Sequence, residues 1–331
     1  NSIAWCYSGP GKVAGAYTRK HDTIHFFAKS QSQIFNTPRI KHKSGVHNKG
    51  QLFGSREEGS KDKQEKMEQE GKRLLGFGRY AGIVGAYNAF LAYGLKSENY
   101  NLKPAYQCKN RVHMEQQFRN MVLNNEKIIV TGNGRVGGGI MEIMRISGVK
   151  EVSINDFLTR EFNFPVFIRL NTMDYNERID GQSANFNDFI NHSSDYKSSF
   201  MKYAKHTDIF IAGHYYGAGA PYLFTREDIR SLDFKICVVA DVSCDIDGPV
   251  ATTIRPSKID SPIYGYNPIT ESEDDFLNDD CIAVMAVDNL PCELPKDSSE
   301  DFGDNLINSI IPIISVSYTH LRAHETKANL V

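Results

Sequence analysis

The sequence predicts an α/β fold, in which a parallel sheet carries helices on both faces. Continuous apolar runs end in small or polar residues, as strands covered on both faces do; they read "KIIVTG", "VFIRL", "TDIFIAG" and "KICVVADVS". A glycine turn follows the first run and opens a helical stretch. At 331 residues, the chain is long enough for about two such domains.

The elements are expected in a regular order along the chain. Residues 73–96 are rich in small residues and apolar on nearly all sides, which favours a helix buried between two domains. A helix is expected to begin near Gly137, and strands are expected at 127–132, 150–154, 166–170, 207–213 and 235–243. In front of these elements, residues 1–36 predict two short strands, and the polar residues 43–72 predict a solvated linker or an exposed helix.

The carboxyl ends of parallel strands meet at one edge of a sheet, where ligands bind in this architecture. We therefore expect three segments to line one crevice: Thr131–Arg135, Ala212–His214 and Asp241–Cys244. His214 is either part of this crevice or a polar residue at a strand end without a chemical role. The acids Asp241, Asp245 and Asp247 either face a ligand or cap a turn.

Gly132, Gly134 and Gly137 form a GxGxxG pattern between an apolar strand and an amphipathic helix, a context that indicates a dinucleotide-binding turn. Gly132 permits the sharp turn, Gly134 lets the backbone approach a pyrophosphate, and Gly137 lets helix and strand pack closely. The helix N-terminus supplies free N–H groups to the phosphates. The residue that hydrogen-bonds the ribose of the dinucleotide is expected about 20 positions after the glycine turn, at Ser153. NAD is the predicted cofactor, and NADP stays open.

Charge is unevenly distributed, because residues 1–50 hold eight Lys or Arg and one acid, whereas the whole chain has a net charge of −2. That segment predicts either a weak nucleic-acid contact or a solvated basic arm. The six cysteines show no CxxC pair and no ligand spacing with the histidines, which predicts neither a metal site nor disulfides and is typical of a reduced, cytoplasmic protein. No apolar run approaches the roughly 20 residues of a membrane helix.

Residues 73–314 resemble the family of saccharopine dehydrogenase (NAD+, L-lysine-forming) and alanine dehydrogenase. The matching stretches are "GKRLLGFGRYAGIVGAYNAFLAYGLK", "LKPAYQC", "TGNGRVGGGIMEI", "DIFIAGHYY", "ADVSCDIDGPVATTIRPSKIDSPIYGYNP" and "VMAVDNLPCELPKDSSEDFG". The resemblance implies Rossmann-like domains that clasp NAD and oxidise the C–N bond of an amino acid by hydride transfer. Saccharopine, alanine and other amino acids all remain open as the substrate, as does the oligomeric state.

The same resemblance implies roles for individual residues. Substrate contacts fall on Arg73 and Phe77, and Arg73 suits a carboxylate because its guanidinium presents paired donors. The implied cofactor contacts are Gly134, Arg135, Asp241, Val242, Ser243 and Cys244, next to Ala212 and Gly213 of the crevice. The family's Lys–His proton relay lies in a stretch before "GKRLLGFG", so we expect this chain to be truncated, with its catalytic residues unknown and its turnover lost.

The two ends of the chain resemble other sequences. Residues 1–72 are similar to a fragment of the N4/N6-type DNA methyltransferases through "NSIAWCYSGPG", "RKHDTIHFFAKS" and "QIFN", without that family's DPPY and FxGxG motifs. Residues 316–326, "VSYTHLRAHET", back-translate into a sequence that looks like a sequencing-library adapter. We therefore predict an incomplete methyltransferase-like segment at 1–72, a dehydrogenase-like part at 73–314 and a non-native tail at 315–331, joined as a chimera or, alternatively, by a natural fusion near Gly71.

Overall fold

The computed structural model describes residues 75–217, 219–246 and 248–310, with side chains described through residue 308. The chain divides into two compact units, one being Phe77–Ser298 and the other combining Asn1–Gly76 with Ser299–Val331. The sheet and the candidate site lie within Phe77–Ser298. Predictions about Arg73, about the strands within residues 1–36, about the segment 43–72 and about the tail fall outside the described residues, as does Asp247.

Five of the eight helices in the described residues fall between strands, as the alternating pattern predicts, whereas two precede the first strand and one follows the last. They are α1 (Gly78–Ser97), α2 (Arg111–Glu115), α3 (Arg135–Ile146), α4 (Ile154–Thr159), α5 (Phe186–Asn191), α6 (Met201–Ala204), α7 (Arg226–Ile229) and α8 (Pro295–Asn305). Short 3-10 turns span Ala105–Gln107, Gln116–Asn120, Thr172–Asp174, Ser193–Asp195 and Leu290–Glu293, and a π-helical turn spans Leu306–Ile310.

One eight-stranded sheet forms the centre of the unit. Its strands are β1 (Lys127–Thr131), β2 (Lys150–Glu151), β3 (Val166–Leu170), β6 (Ile209–Ala212), β7 (Val238–Asp241), β8 (Ile263–Asn267), β9 (Ser272–Asp274) and β10 (Ile282–Met285). In space the order is β2-β3-β1-β6-β7-β10-β8-β9, and all neighbouring pairs from β2 to β10 are parallel. The strands β8 and β9 pair antiparallel at one edge. A separate hairpin joins β4 (Asn176–Arg178) to β5 (Tyr196–Ser198).

Both faces of the sheet are covered, which confirms the predicted α/β, Rossmann-like fold. Successive strand residues point to opposite faces, so Ile128 and Val130 enter one core with α1 and α3, whereas Ile129 enters a second core with α4, α6 and α7. The same alternation holds on β6 and β7, whose described residues are all buried. Two buried faces explain why these strands are apolar without interruption.

Helix α1 is buried, as predicted, and within Phe77–Ser298 it packs against α3 and the sheet. The two helices approach so closely that their backbones touch. A Cβ on Gly82 would lie 2.0 Å from the carbonyl oxygen of Val136, and a Cβ on Gly139 would lie 2.0 Å from that of Arg79. Gly82 of α1 and Gly139 of α3 are thus required by the helix crossing.

Several boundary predictions need correction. The strands expected at 207–213 and 235–243 are shorter and span Ile209–Ala212 and Val238–Asp241. Helix α3 begins at Arg135, two residues before Gly137, because Gly138 N–H already donates to the Gly134 carbonyl at 2.9 Å. The strand expected at 150–154 is reduced to Lys150–Glu151, because Ser153 ends it by capping α4.

Candidate functional site

The glycine turn after β1 combines two close backbone contacts with one open position. Gly132 has φ +102°, and a Cβ there would lie 2.2 Å from the Gly213 carbonyl oxygen. A Cβ on Gly137 would lie 2.0 Å from the Gly132 carbonyl oxygen. By contrast, no described atom lies within 4 Å of a Cβ built on Gly134, which is exposed and caps α3. Side chains are therefore excluded at Gly132 and Gly137, where backbone atoms touch, whereas the space at Gly134 before the N-terminus of α3 is open.

That open space fits a phosphate. The first N–H groups of a helix have no partner inside the helix and point outward, so an anion placed before α3 meets several donors. Arg135, the exposed first residue of α3, adds a positive charge there. The N-terminus of α1 lies alongside, since a Cβ on Gly78 would be 3.3 Å from the Arg135 Cβ. Phe77, the N-cap of α1, is therefore next to the start of α3.

The three predicted crevice segments meet at one edge of the sheet. The register pairs Thr131 with Ala212 and Ala212 with Asp241, so β1, β6 and β7 end at the same level. Gly213 N–H donates to the Thr131 carbonyl at 3.1 Å, and Val242 N–H donates to the Ala212 carbonyl at 3.0 Å. Parallel pairing therefore continues one residue beyond the strands and sets the loops side by side.

His214 is buried in this edge and contacts the end of β1. Its Nδ1 lies 2.8 Å from the Thr131 Oγ1, and burial lowers the pKa of its imidazole to about 4, with Asp245 acting in the opposite direction. The ring is therefore neutral at neutral pH. Its Nε2 is buried, and no hydrogen-bond partner for it is found among the described residues. Such an orphaned atom indicates a position that is not explained by packing alone.

Asp241 caps the turn that follows β7. Its carboxylate is fully buried and accepts hydrogen bonds from the N–H groups of Ser243 (3.0 Å) and Cys244 (3.2 Å) and from the Thr253 hydroxyl (2.8 Å). Burial raises its pKa to about 6. Cys244 takes φ 51°, and the Ser243 hydroxyl donates to the His214 carbonyl at 2.7 Å. The carboxylate thus orders the turn of Val242, Ser243 and Cys244, in agreement with the capping interpretation.

Ser153 lies apart from this group. It follows β2, the outermost strand, and β3 stands between β2 and β1. Its hydroxyl accepts a hydrogen bond from Asp156 N–H at 3.0 Å and so caps α4. On this side of β1 the adjoining strand is β3, and its end places Asn171 beside the glycine turn. Sequence reasoning missed Asn171, because a list of strands in chain order contains no information about their order in space.

Nowhere in residues 75–310, Ala218 and Asp247 aside, do three or more His, Cys, Asp or Glu side chains group closely enough to hold a metal ion. Within the same described residues, no helix is both long and apolar enough to cross a membrane.

A parallel sheet with a glycine turn at the carboxyl end of its first strand defines a class of dinucleotide-binding α/β domains. Within this class, residues 81–330 match the family described as "Alanine dehydrogenase/PNT, C-terminal domain", and the chain belongs to that family. The match includes most of the tail, so the adapter-like origin of residues 316–331 stays a prediction. So does the methyltransferase-like origin of residues 1–72.

The chain is also similar to several characterised proteins. It is 27% identical to an alpha-aminoadipic semialdehyde synthase of Arabidopsis thaliana, over 78% of this chain and 28% of the synthase. It is 25% identical to the saccharopine dehydrogenase [NAD(+), L-lysine-forming] of Schizosaccharomyces pombe, over 76% of this chain and 61% of that enzyme. An L-alanine dehydrogenase structure superposes with TM-score 0.39 at 13% identity, covering 76% of this chain and 56% of that one. The chain spans less than two thirds of the length of each.

Proposed function

We propose that this chain is the cofactor-binding part of an NAD-dependent amino-acid dehydrogenase of the saccharopine or alanine dehydrogenase type. The observation that carries the proposal is the open position at Gly134, before the N-terminus of α3 and at the carboxyl edge of the parallel sheet. Family membership and the name of the saccharopine dehydrogenase relative support the same class of reaction.

The residues of this chain would act mainly by holding the cofactor. The N–H groups of the first turn of α3 bind the pyrophosphate, and Gly134 admits it because no side chain fills the space. Two segments line the site beside the pyrophosphate. They are the turn Val242–Cys244, which Asp241 orders, and the Ala212–Gly213 backbone. Bound NAD supplies the hydride acceptor for oxidation of the amino acid's C–N bond.

Cofactor binding is tested by titrating the full 331-residue chain with NADH and following NADH fluorescence. We expect saturable binding, and Gly134→Val should weaken it by about tenfold or more, because its side chain enters the phosphate position. Gly138→Val is the matched control, since a Cβ on Gly138 also has no described atom within 4 Å but lies within α3. A folded chain that does not bind NADH would refute the proposal.

Turnover by this chain alone is not expected. The three crevice segments, Thr131–Arg135, Ala212–His214 and Asp241–Cys244, contain one histidine, the buried His214, and no lysine, whereas the family's relay uses a Lys and a His. Loss of general acid–base help slows such reactions by about 10²- to 10⁴-fold. We therefore expect no measurable NAD reduction with saccharopine or alanine, which also fits a catalytically silent NAD-binding module. Turnover well above background would show that the chain supplies a relay from other residues.

A second candidate activity concerns residues 1–50 alone, because their eight basic residues and one acid give a surplus of positive charge. We propose weak, salt-sensitive nucleic-acid contact through this segment. A gel-shift assay of the full chain at low salt should then retain DNA and release it as salt rises. Absence of retention at low salt would exclude this contact.

A further inference from the structure

The strand next to β1 determines which residue faces the ribose of a dinucleotide. In doubly wound folds, the ribose-binding acid follows the strand that adjoins the glycine-turn strand. Two strands flank β1, and of these β3 is the one that comes first after the glycine-turn helix α3 in the chain, whereas β6 comes later. The register of β3 pairs Leu170 with Thr131. Gly132 and Asn171 are the next residues on the two strands, so they lie level at the carboxyl edge.

Direct contacts join the end of β3 to the glycine turn. The Asn133 side-chain amide donates to the Asn171 Oδ1. From β3, the Arg169 Nε and Nη2 donate to the Gly132 carbonyl at 3.1 and 2.9 Å. The loop after β3 is thus connected to the turn by side chains from both sides.

A carboxylate is held at the same place. Asn171 N–H donates to the Asp174 Oδ2 at 2.6 Å, within a capping box that spans the 3-10 turn Thr172–Asp174. Asn171 is exposed and Asp174 is partly exposed, so a ligand can reach this corner of the crevice. Asp174 is the only acid in the segment from Asn171 to Tyr175.

We infer that Asn171 and Asp174 form the ribose end of the dinucleotide site, and that Asp174 makes the site prefer NAD over NADP. The inference rests on the proposed function. The Asn171 Nδ2 group offers a donor to a ribose hydroxyl, whereas its Oδ1 already accepts from the Asn133 side chain and from the backbone in the capping box. The Asp174 carboxylate tolerates the 2′-hydroxyl of NAD and repels the 2′-phosphate of NADP, since like charges at short range oppose binding. Ser153 takes no part.

The test compares the dissociation constants of NADH and NADPH for the full chain and three variants, each checked for folding by circular dichroism. Asp174→Asn keeps an oxygen for the Asn171 N–H and removes the charge. We expect the unsubstituted chain to bind NADH at least about tenfold more tightly than NADPH, and Asp174→Asn to reduce that ratio about fivefold through tighter NADPH binding.

The other two variants distinguish Asn171 from Ser153 as the residue that contacts the ribose. Asn171→Ala should weaken the binding of both dinucleotides by about fivefold, whereas Ser153→Ala should leave both dissociation constants within about twofold. The inference is overturned if NADPH binds as well as NADH, if Asp174→Asn leaves the ratio unchanged, or if Ser153→Ala weakens binding in place of Asn171→Ala. Those results leave the proposed function standing. A folded chain that binds neither dinucleotide overturns both.

Discussion

At the scale of single residues, two adjacent threonines differ in whether the side-chain hydroxyl has a hydrogen-bond partner. Thr252 and Thr253 are both buried, but the Thr253 hydroxyl donates to Asp241, whereas no partner for the Thr252 hydroxyl is found in the part of the chain that the structure describes. A buried polar group costs free energy unless it is hydrogen-bonded. Substitutions at the two positions therefore show how much the turn held by Asp241 depends on the Thr253 hydroxyl, which is its third hydrogen-bond donor after the N–H groups of Ser243 and Cys244.

We expect Thr253→Val to lower the free energy of unfolding by about 1–3 kcal/mol, because it leaves a buried carboxylate with one donor fewer. Thr252→Val should be neutral or slightly stabilising, since it removes an unpaired hydroxyl without changing the side-chain shape. Urea unfolding of both variants, followed by circular dichroism, gives the comparison. Equal losses in the two variants would mean that packing, and not the hydrogen bond to Asp241, makes Thr253 important.

At the scale of elements, the crossing of α1 and α3 positions the glycine turn. Gly82→Ala would place a methyl group 2.0 Å from the Val136 carbonyl oxygen, so the two helices must move apart. We expect a loss of about 1–3 kcal/mol in the free energy of unfolding, and weaker NADH binding, because α3 carries the turn at its N-terminus.

Gly138→Ala is the matched control for this crossing, since it lies on α3 and its Cβ meets no described atom within 4 Å. It should be neutral or raise stability by up to about 1 kcal/mol through the better helix propensity of alanine. Thermal unfolding and NADH titration of the two variants check both expectations. A Gly82→Ala protein as stable as Gly138→Ala would mean that the helices can separate without cost.

The sequence was sufficient to predict the α/β class, the apolar strands and the glycine turn, because each depends on local patterns: uninterrupted apolar runs and three spaced glycines. It was not sufficient for the spatial order of β2 and β3. That order depends on long-range packing, and Ser153 was predicted to face the ribose on the assumption that chain order and spatial order agree. The sequence also could not show whether Asp241 faces a ligand or caps a turn. The hydrogen bond that favours the turn comes from Thr253, which is twelve residues away in the chain.

At the scale of the whole molecule, three buried titratable groups connect stability to pH. Burial raises the pKa of Asp241 to about 6 and that of Glu293 to about 7, and burial lowers the pKa of His214 to about 4. A raised carboxyl pKa costs stability as pH rises, whereas the lowered histidine pKa costs stability as pH falls. Asp241 and His214 therefore oppose each other between about pH 4 and pH 6. Among these three groups, none opposes the effect of Glu293 on stability near pH 7.

Glu293 is thus expected to make the protein less stable as pH rises through 7. Its carboxylate lies in the turn Leu290–Glu293, is 2% exposed and accepts a hydrogen bond from the Asn88 Nδ2 of α1 at 2.8 Å. In the unfolded chain its pKa is about 4.3, so between about pH 4.3 and 7 only the folded state holds the proton. That stability is complete at the acid end and is lost as the folded carboxyl ionises, a change of about 4 kcal/mol.

Glu293→Gln keeps an oxygen for Asn88 and removes the titration. Its free energy of unfolding, relative to the unsubstituted chain, should increase by about 2 kcal/mol between about pH 5 and about pH 8. Urea unfolding at the two pH values measures this difference, and subtraction cancels the groups that the two proteins share. If the difference is the same at both pH values, the carboxylate is already ionised in the folded state at pH 5, and the contact between α1 and this turn is a charged one throughout.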